Sequence, residues 1–158
     1  MNIVNDQERR DEKNVDTRKL VDQARKICST FFDEEYSYSS KEAMDELGID
    51  SDLIEQLLED YVDQIMRDVI QFEELLFVLQ ANVDAKKELN YTELRELAHK
   101  NLGVARNLRI GDAVALLSEL MKKDDLEHLY SCIETLRACA IKLKPLYAAK
   151  TIKQIEKK

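Results

Sequence analysis

The sequence predicts an all-α fold, an antiparallel up-down-up-down four-helix bundle with an additional N-terminal helix. Three observations predict it. The 158 residues include three glycines and one proline, too little punctuation for the many turns of a β-rich architecture. Apolar residues recur at steps of three and four through most of the chain, the spacing of one helix face. The polar breaks between these stretches are short, and short connections favour antiparallel neighbours. With 44% hydrophobic residues, a chain of this length can bury a real core.

Residues 1–13 are charged and aperiodic and are expected to be disordered or frayed. From Val15 to about Phe32, the residues Leu20, Val21, Ala24, Ile27, Cys28 and Phe31 fall at helical spacing. Asp33 to Ser40 reads as a polar, aromatic connector. A short helix opens at Lys41, with Ser39 or Ser40 as N-cap and Gly48 at C′. Residues 14–47 are therefore expected to be accessory N-terminal helices.

The longest helix is predicted from about Asp52 to Gln80. Its seam is Ile54, Leu58, Tyr61, Ile65, Val69, Phe72, Leu76 and Leu79. A rise of 1.5 Å per residue gives it a length on the order of 40 Å. Asn82 to Asn90 reads as a polar loop. Asn90 then caps the next helix, with Glu93 at N3 completing a capping-box-like pair. That helix ends near Leu108, and Arg109-Ile110-Gly111 turns the chain. Ala113, Leu116, Leu117 and Leu120 mark a shorter helix, and Asp124 and Asp125 suit the start of the next. Leu126, Leu129, Ile133, Leu136, Ala140 and Leu143 define the last bundle helix, which Pro145 interrupts. Residues 146–158 form a lysine-rich C-terminal tail with the composition of a marginal helix.

Charge and motif content exclude several function classes. A net charge of −8 argues against a nucleic-acid partner, since phosphate binding needs a basic face. No apolar run approaches the roughly 20 residues of a membrane span, and the amino terminus is not a signal peptide, so the expected location is cytoplasmic. Cys28, Cys132 and Cys139 lie in apolar helical contexts and read as reduced core thiols. Neither histidine has an obvious role as base for a catalytic cysteine. There is no Walker loop, GxGxxG or nucleophile elbow. Glu96-x-x-His99 and Asp125-x-x-His128 have di-iron half-site spacing. Such a site needs inward-facing ligands from four helices, however, and the 52–80 seam is apolar, so no metal is expected. Tyr61, Phe72 and Tyr130 read as core, and Glu55, Glu59, Asp60, Asp63 and Asp68 as a solvated acidic face.

His99 stands apart. A helical projection puts Tyr91, Leu94, Leu97, Ala98, Val104, Ala105 and Leu108 on one side. It puts His99 on the other, with Thr92, Arg95, Glu96, Gly103 and Arg106. A glycine inside a helix costs about 1 kcal/mol relative to alanine. Something is expected to come close to the surface beside Gly103.

The run Leu97-Ala98-His99-Lys100-Asn101-Leu102-Gly103-Val104-Ala105-Arg106-Asn107-Leu108 resembles the phosphoacceptor helix of histidine-containing phosphotransfer (HPt) domains. Their pattern is Ala-His, any residue, Leu-Lys-Gly, three small or variable residues, then Asn-Leu. Ala98, His99, Gly103, Asn107 and Leu108 match it in register. The resemblance extends over about 48–144, making 48–145 an HPt-like four-helix bundle that opens with Leu47-Gly48-Ile49-Asp50. The family's Leu-Lys is Asn101-Leu102 here, so the usual lysine beside the phosphoryl group is missing. Asn101 also falls on the apolar face, where its amide needs a partner.

The resemblance implies a phosphorelay intermediate in two-component signalling, with no autonomous catalytic activity. His99 would be the phosphoacceptor, exchanging a phosphoryl group with receiver-domain aspartates. Partners would be response-regulator receivers, hybrid sensor kinases or both, and Mg²⁺ would come from the receiver. Gly103 would leave room for the receiver's loops. Arg95 and Arg106, on the face of His99, would offset the phosphate charge ahead of Lys100, and Glu96 borders the same surface. The alternatives are a degenerate HPt-like module that binds receivers without phosphotransfer, and a helical adaptor for an unrelated partner.

Overall fold

The computed structural model describes residues 3–34 and 36–157, with side chains from Thr17 onward. Seven helices account for most of them: α1 (Ile3–Phe31), α2 (Lys41–Leu47), α3 (Ser51–Asp84), α4 (Thr92–Asn107), α5 (Gly111–Lys122), α6 (Leu126–Leu143) and α7 (Pro145–Glu156). There is no strand among the described residues. The backbone of α1 begins well before Val15, where the apolar spacing starts. Met1, Asn2 and the side chains of 3–16 lie outside the described residues, while the backbone over 3–13, expected to be disordered or frayed, is helical.

All eight predicted seam residues of α3 are buried, and Asp50 caps the helix by accepting from the Leu53 amide at 2.9 Å. The helix runs on to Asp84, so the loop expected from Asn82 begins later. No glycine or proline stops it earlier, and Gln80 Nε2 donates to Asp84 Oδ1 one turn on, at 3.1 Å. The α4 start also differs from expectation. Asn90 Oδ1 accepts from the Thr92 amide at 3.0 Å, but the N-cap is Tyr91. Glu93 is thereby at the second helical position, out of register for a reciprocal box. Asp125 caps α6 as the sequence indicates.

Pro145 starts a helix rather than merely ending one. It occupies the first turn of α7, where a missing amide hydrogen is harmless. Residues 146–156 are thus part of the packed fold, not a tail. Ala148 and Thr151 are buried, Thr151 Oγ1 donates to Asp63 Oδ1 at 3.1 Å, and Arg67 Nη2 donates to Gln154 Oε1 at 3.0 Å. Lys144 pairs with Glu55. The acidic face of α3 is therefore only partly solvated: Asp63 is bonded across to α7, and Asp68 is buried. Tyr130, expected in the core, is 39% exposed.

The packing neighbours run α3 to α4 to α5 to α6, and α6 returns to α3. Helix α1 lies along α6, and α7 fills the space beside α1, α3 and α6. The 32–40 connector is fastened to the α4–α5 turn. Tyr38 donates its hydroxyl to the Leu108 carbonyl at 2.7 Å, and the Gly111 amide donates to the Tyr36 hydroxyl at 2.8 Å. A Cβ on Gly111 would lie 3.3 Å from the Tyr36 ring, so only glycine lets that ring approach freely. Arg109 turns the chain with φ of +59° and pairs with Glu46 of α2.

Candidate functional site

Helix α4 presents two faces of opposite character. Leu94, Leu97, Ala98, Asn101, Leu102 and Ala105 are buried against α3 and α5. Glu96, His99, Lys100, Gly103 and Arg106 are exposed on the opposite side. Val104, assigned to the apolar side by the projection, is instead 43% exposed, while Asn101 and Leu102 take up the inner positions. The i, i+3, i+4 pattern of 94, 97, 98, 101, 102 and 105 sets this face.

Among the described residues, no side chain bonds to His99. Its imidazole stands free in solvent, one turn before Gly103. A Cβ built on Gly103 would meet nothing within 4 Å. No internal packing thus requires glycine at this helical position, despite its propensity cost of about 1 kcal/mol.

The cations near His99 are differently engaged. Arg95 donates from Nη1 to the Leu120 carbonyl at 2.6 Å and lies over the Tyr91 ring, 4.8 Å from its centroid. It caps the open end of α5, where a cation also complements the helix dipole. Lys100 turns towards α3, its Nζ 3.7 Å from Asp68 Oδ2. Arg106 and Glu96 have no partner among the described residues. The structure therefore brings His99, Gly103 and Arg106 onto one open face, with Arg95 fixed to α5 and Lys100 drawn to α3.

Beneath that face lies a polar node that sequence reasoning did not assemble. Asn101 Nδ2 donates to Asp68 Oδ2 at 2.9 Å and to the Leu97 carbonyl at 2.9 Å. Gln64 Nε2 donates to Asp68 Oδ1 at 2.8 Å. The amide that needed a partner has two. Asp68 was readable in part, because it falls at i+3 from Ile65 and i−4 from Phe72, inside the apolar stripe.

The second histidine is placed quite differently. His128 is partly buried, stacked on Phe31 with centroids 6.1 Å apart, with Nε2 3.6 Å from Cys132 Sγ and 3.9 Å from Glu119 Oε2. Burial, with the Glu119 charge adding to it, pushes the Cys132 thiol up to about 12. Among the described residues, no group of three or more His, Cys, Asp or Glu side chains is placed to hold a metal ion. No family model, no curated protein and no solved structure matches this chain.

Proposed function

We propose that the chain is an HPt-like phosphorelay intermediate of two-component signalling, carrying the phosphoryl group on His99. The observation that carries the reading is an unencumbered imidazole beside a helical glycine whose Cβ position faces open space. An unprotonated imidazole nitrogen is the nucleophile required. A ring nitrogen attacks the phosphorus of a receiver's aspartyl phosphate, the P–N bond forms, and the P–O bond to the carboxylate breaks. Transfer of this kind depends on positioning and charge neutralisation. The receiver brings both, with its Mg²⁺, so this chain needs an accessible nucleophile and a docking face. Arg106 is the cation free to meet the phosphate oxygens.

Helices α3, α4, α5 and α6, packed in succession and closing back on α3, support the finer reading of an antiparallel four-helix bundle with α1 and α7 outside it. No helix among the described residues is long and apolar enough to cross a membrane, in keeping with a cytoplasmic relay.

A docking module that binds receivers without accepting phosphate is the second reading. It is favoured by the buried Leu102 at the family's lysine position and by the engagement of Lys100 and Arg95 elsewhere. One experiment separates the two. A receiver domain is labelled with radioactive acetyl phosphate and Mg²⁺ and mixed with the full chain. Acid-labile, alkali-stable label on the chain supports transfer. A complex without label supports docking alone and overturns the relay reading.

A further inference from the structure

We infer that Cys28 and Cys139 form a redox-reactive dithiol, which a small peroxide converts into a disulfide joining α1 to α6. The two residues lie 111 positions apart in sequence, yet their Sγ atoms are 3.6 Å apart. Both are nearly buried, at 6% exposure each. They are not sealed, however. Both sulfurs' residues line a cavity of about 450 Å³ that opens to solvent and is also bordered by Arg25, Tyr36, Asp112 and Lys142. A small neutral peroxide can enter such a space.

The pair is chemically unequal. The hydrogen bond shared with Cys139 is the main influence lowering the Cys28 thiol, with Lys142 assisting and burial opposing. Cys139 moves the other way: buried and beside Asp112, it holds its proton more tightly. Cys28 is therefore the attacking thiolate and Cys139 the resolving thiol. Cys132, fixed against His128 and Glu119, takes no part.

The Cys28 thiolate attacks one oxygen of the peroxide. The S–O bond forms, the O–O bond breaks, and the departing hydroxide or alkoxide takes a proton from water, leaving a sulfenic acid. Cys139 Sγ then attacks Cys28 Sγ and gives up its proton, the S–O bond breaks, and water leaves. Two electrons pass from the two thiols to the peroxide. The sulfurs must approach by about 1.5 Å to reach the roughly 2.05 Å of a disulfide, a movement side-chain rotation supplies. A dithiol reductant reverses the step by exchange.

The test treats the reduced full chain with hydrogen peroxide and maps its peptides without reduction. The expected product is one intramolecular Cys28–Cys139 link, lighter by about 2 Da for the two hydrogens lost. Cys139→Ser should leave Cys28 as a sulfenic acid that dimedone traps. Cys28→Ser should slow peroxide consumption by about tenfold or more. Cys132→Ser should link as wild type does. Three results overturn the proposal: a link that includes Cys132, products that are only intermolecular, or a Cys28–Cys139 link that forms no faster in the folded protein than in urea.

Discussion

Asn101 Nδ2 donates to Asp68 Oδ2 at 2.9 Å, pairing two polar side chains inside the otherwise apolar interface of α3 and α4. Either alone would be a buried group lacking its best partner. Asn101→Leu should therefore cost about 2–3 kcal/mol, since it takes a donor from a buried carboxylate. Asp68→Leu should cost a similar amount. The double variant should lose at least about 1 kcal/mol less than the sum, because two apolar groups can pack where the pair stood. Urea unfolding of the four proteins measures this, and strict additivity would show the contact to be incidental.

His99→Gln should abolish label transfer from a phosphorylated receiver. Its stability should stay within about 0.5 kcal/mol of wild type, because no packing is lost at an exposed side chain. Retained transfer would move the acceptor elsewhere, with His128 next to be replaced.

Gly103→Ala should stabilise the fold by up to about 1 kcal/mol, as helix propensity improves and the new Cβ meets nothing. Gly103→Leu should keep the helix but weaken receiver binding, measured by calorimetric titration. Equal affinity for wild type and Gly103→Leu would mean the partner does not approach this face.

The two arginines should separate cleanly. Arg95→Gln breaks the bond to the Leu120 carbonyl and the stacking on Tyr91, so thermal unfolding should register a loss of about 1 kcal/mol. Arg106→Gln should leave stability within about 0.5 kcal/mol and slow phosphotransfer several-fold. The opposite pattern would return the phosphate-facing role to Arg95.

Stability should fall in alkali. Burial raises the Tyr61 hydroxyl well above 10.0, and the Cys132 thiol to about 12 from 9.0. Both are neutral acids in the fold, while the unfolded chain ionises near pH 9 to 10. Their contribution is thus complete below about pH 9 and is lost as pH rises towards the folded values. Tyr61→Phe should flatten the decline above pH 10 in denaturant titrations at stepped pH. An unchanged slope would assign the loss to other groups.

Periodicity made the helix seams legible: every seam residue named for α3 is buried, because a stripe of that width has to face a neighbour. The open face bearing His99 and Gly103 followed from the same projection. Two things were not legible. Arg95 is held by a backbone carbonyl 25 residues away, and a carbonyl leaves no mark in sequence. Helix α7 packs Tyr147, Ala148 and Ile152 against the core, but the polar bonds that tie it to α3, from Thr151 to Asp63 and from Arg67 to Gln154, are encoded by no periodicity. The Asp68–Asn101 pair lay between these cases. Each residue interrupts an apolar stripe, and two such interruptions on facing helices can answer one another.

The position of α1 has an entropic consequence. Helices α3 to α6 each pack on the next in sequence, with α6 closing back on α3, whereas α1 settles against α6 across a separation such as the 111 residues between Cys28 and Cys139. Bringing those ends together closes a longer loop than any contact within α3 to α6, at an entropic cost that rises only slowly with length. The molecule thus keeps the His99 face on helices joined by short loops and sets its thiol pair at a contact that closes a long one.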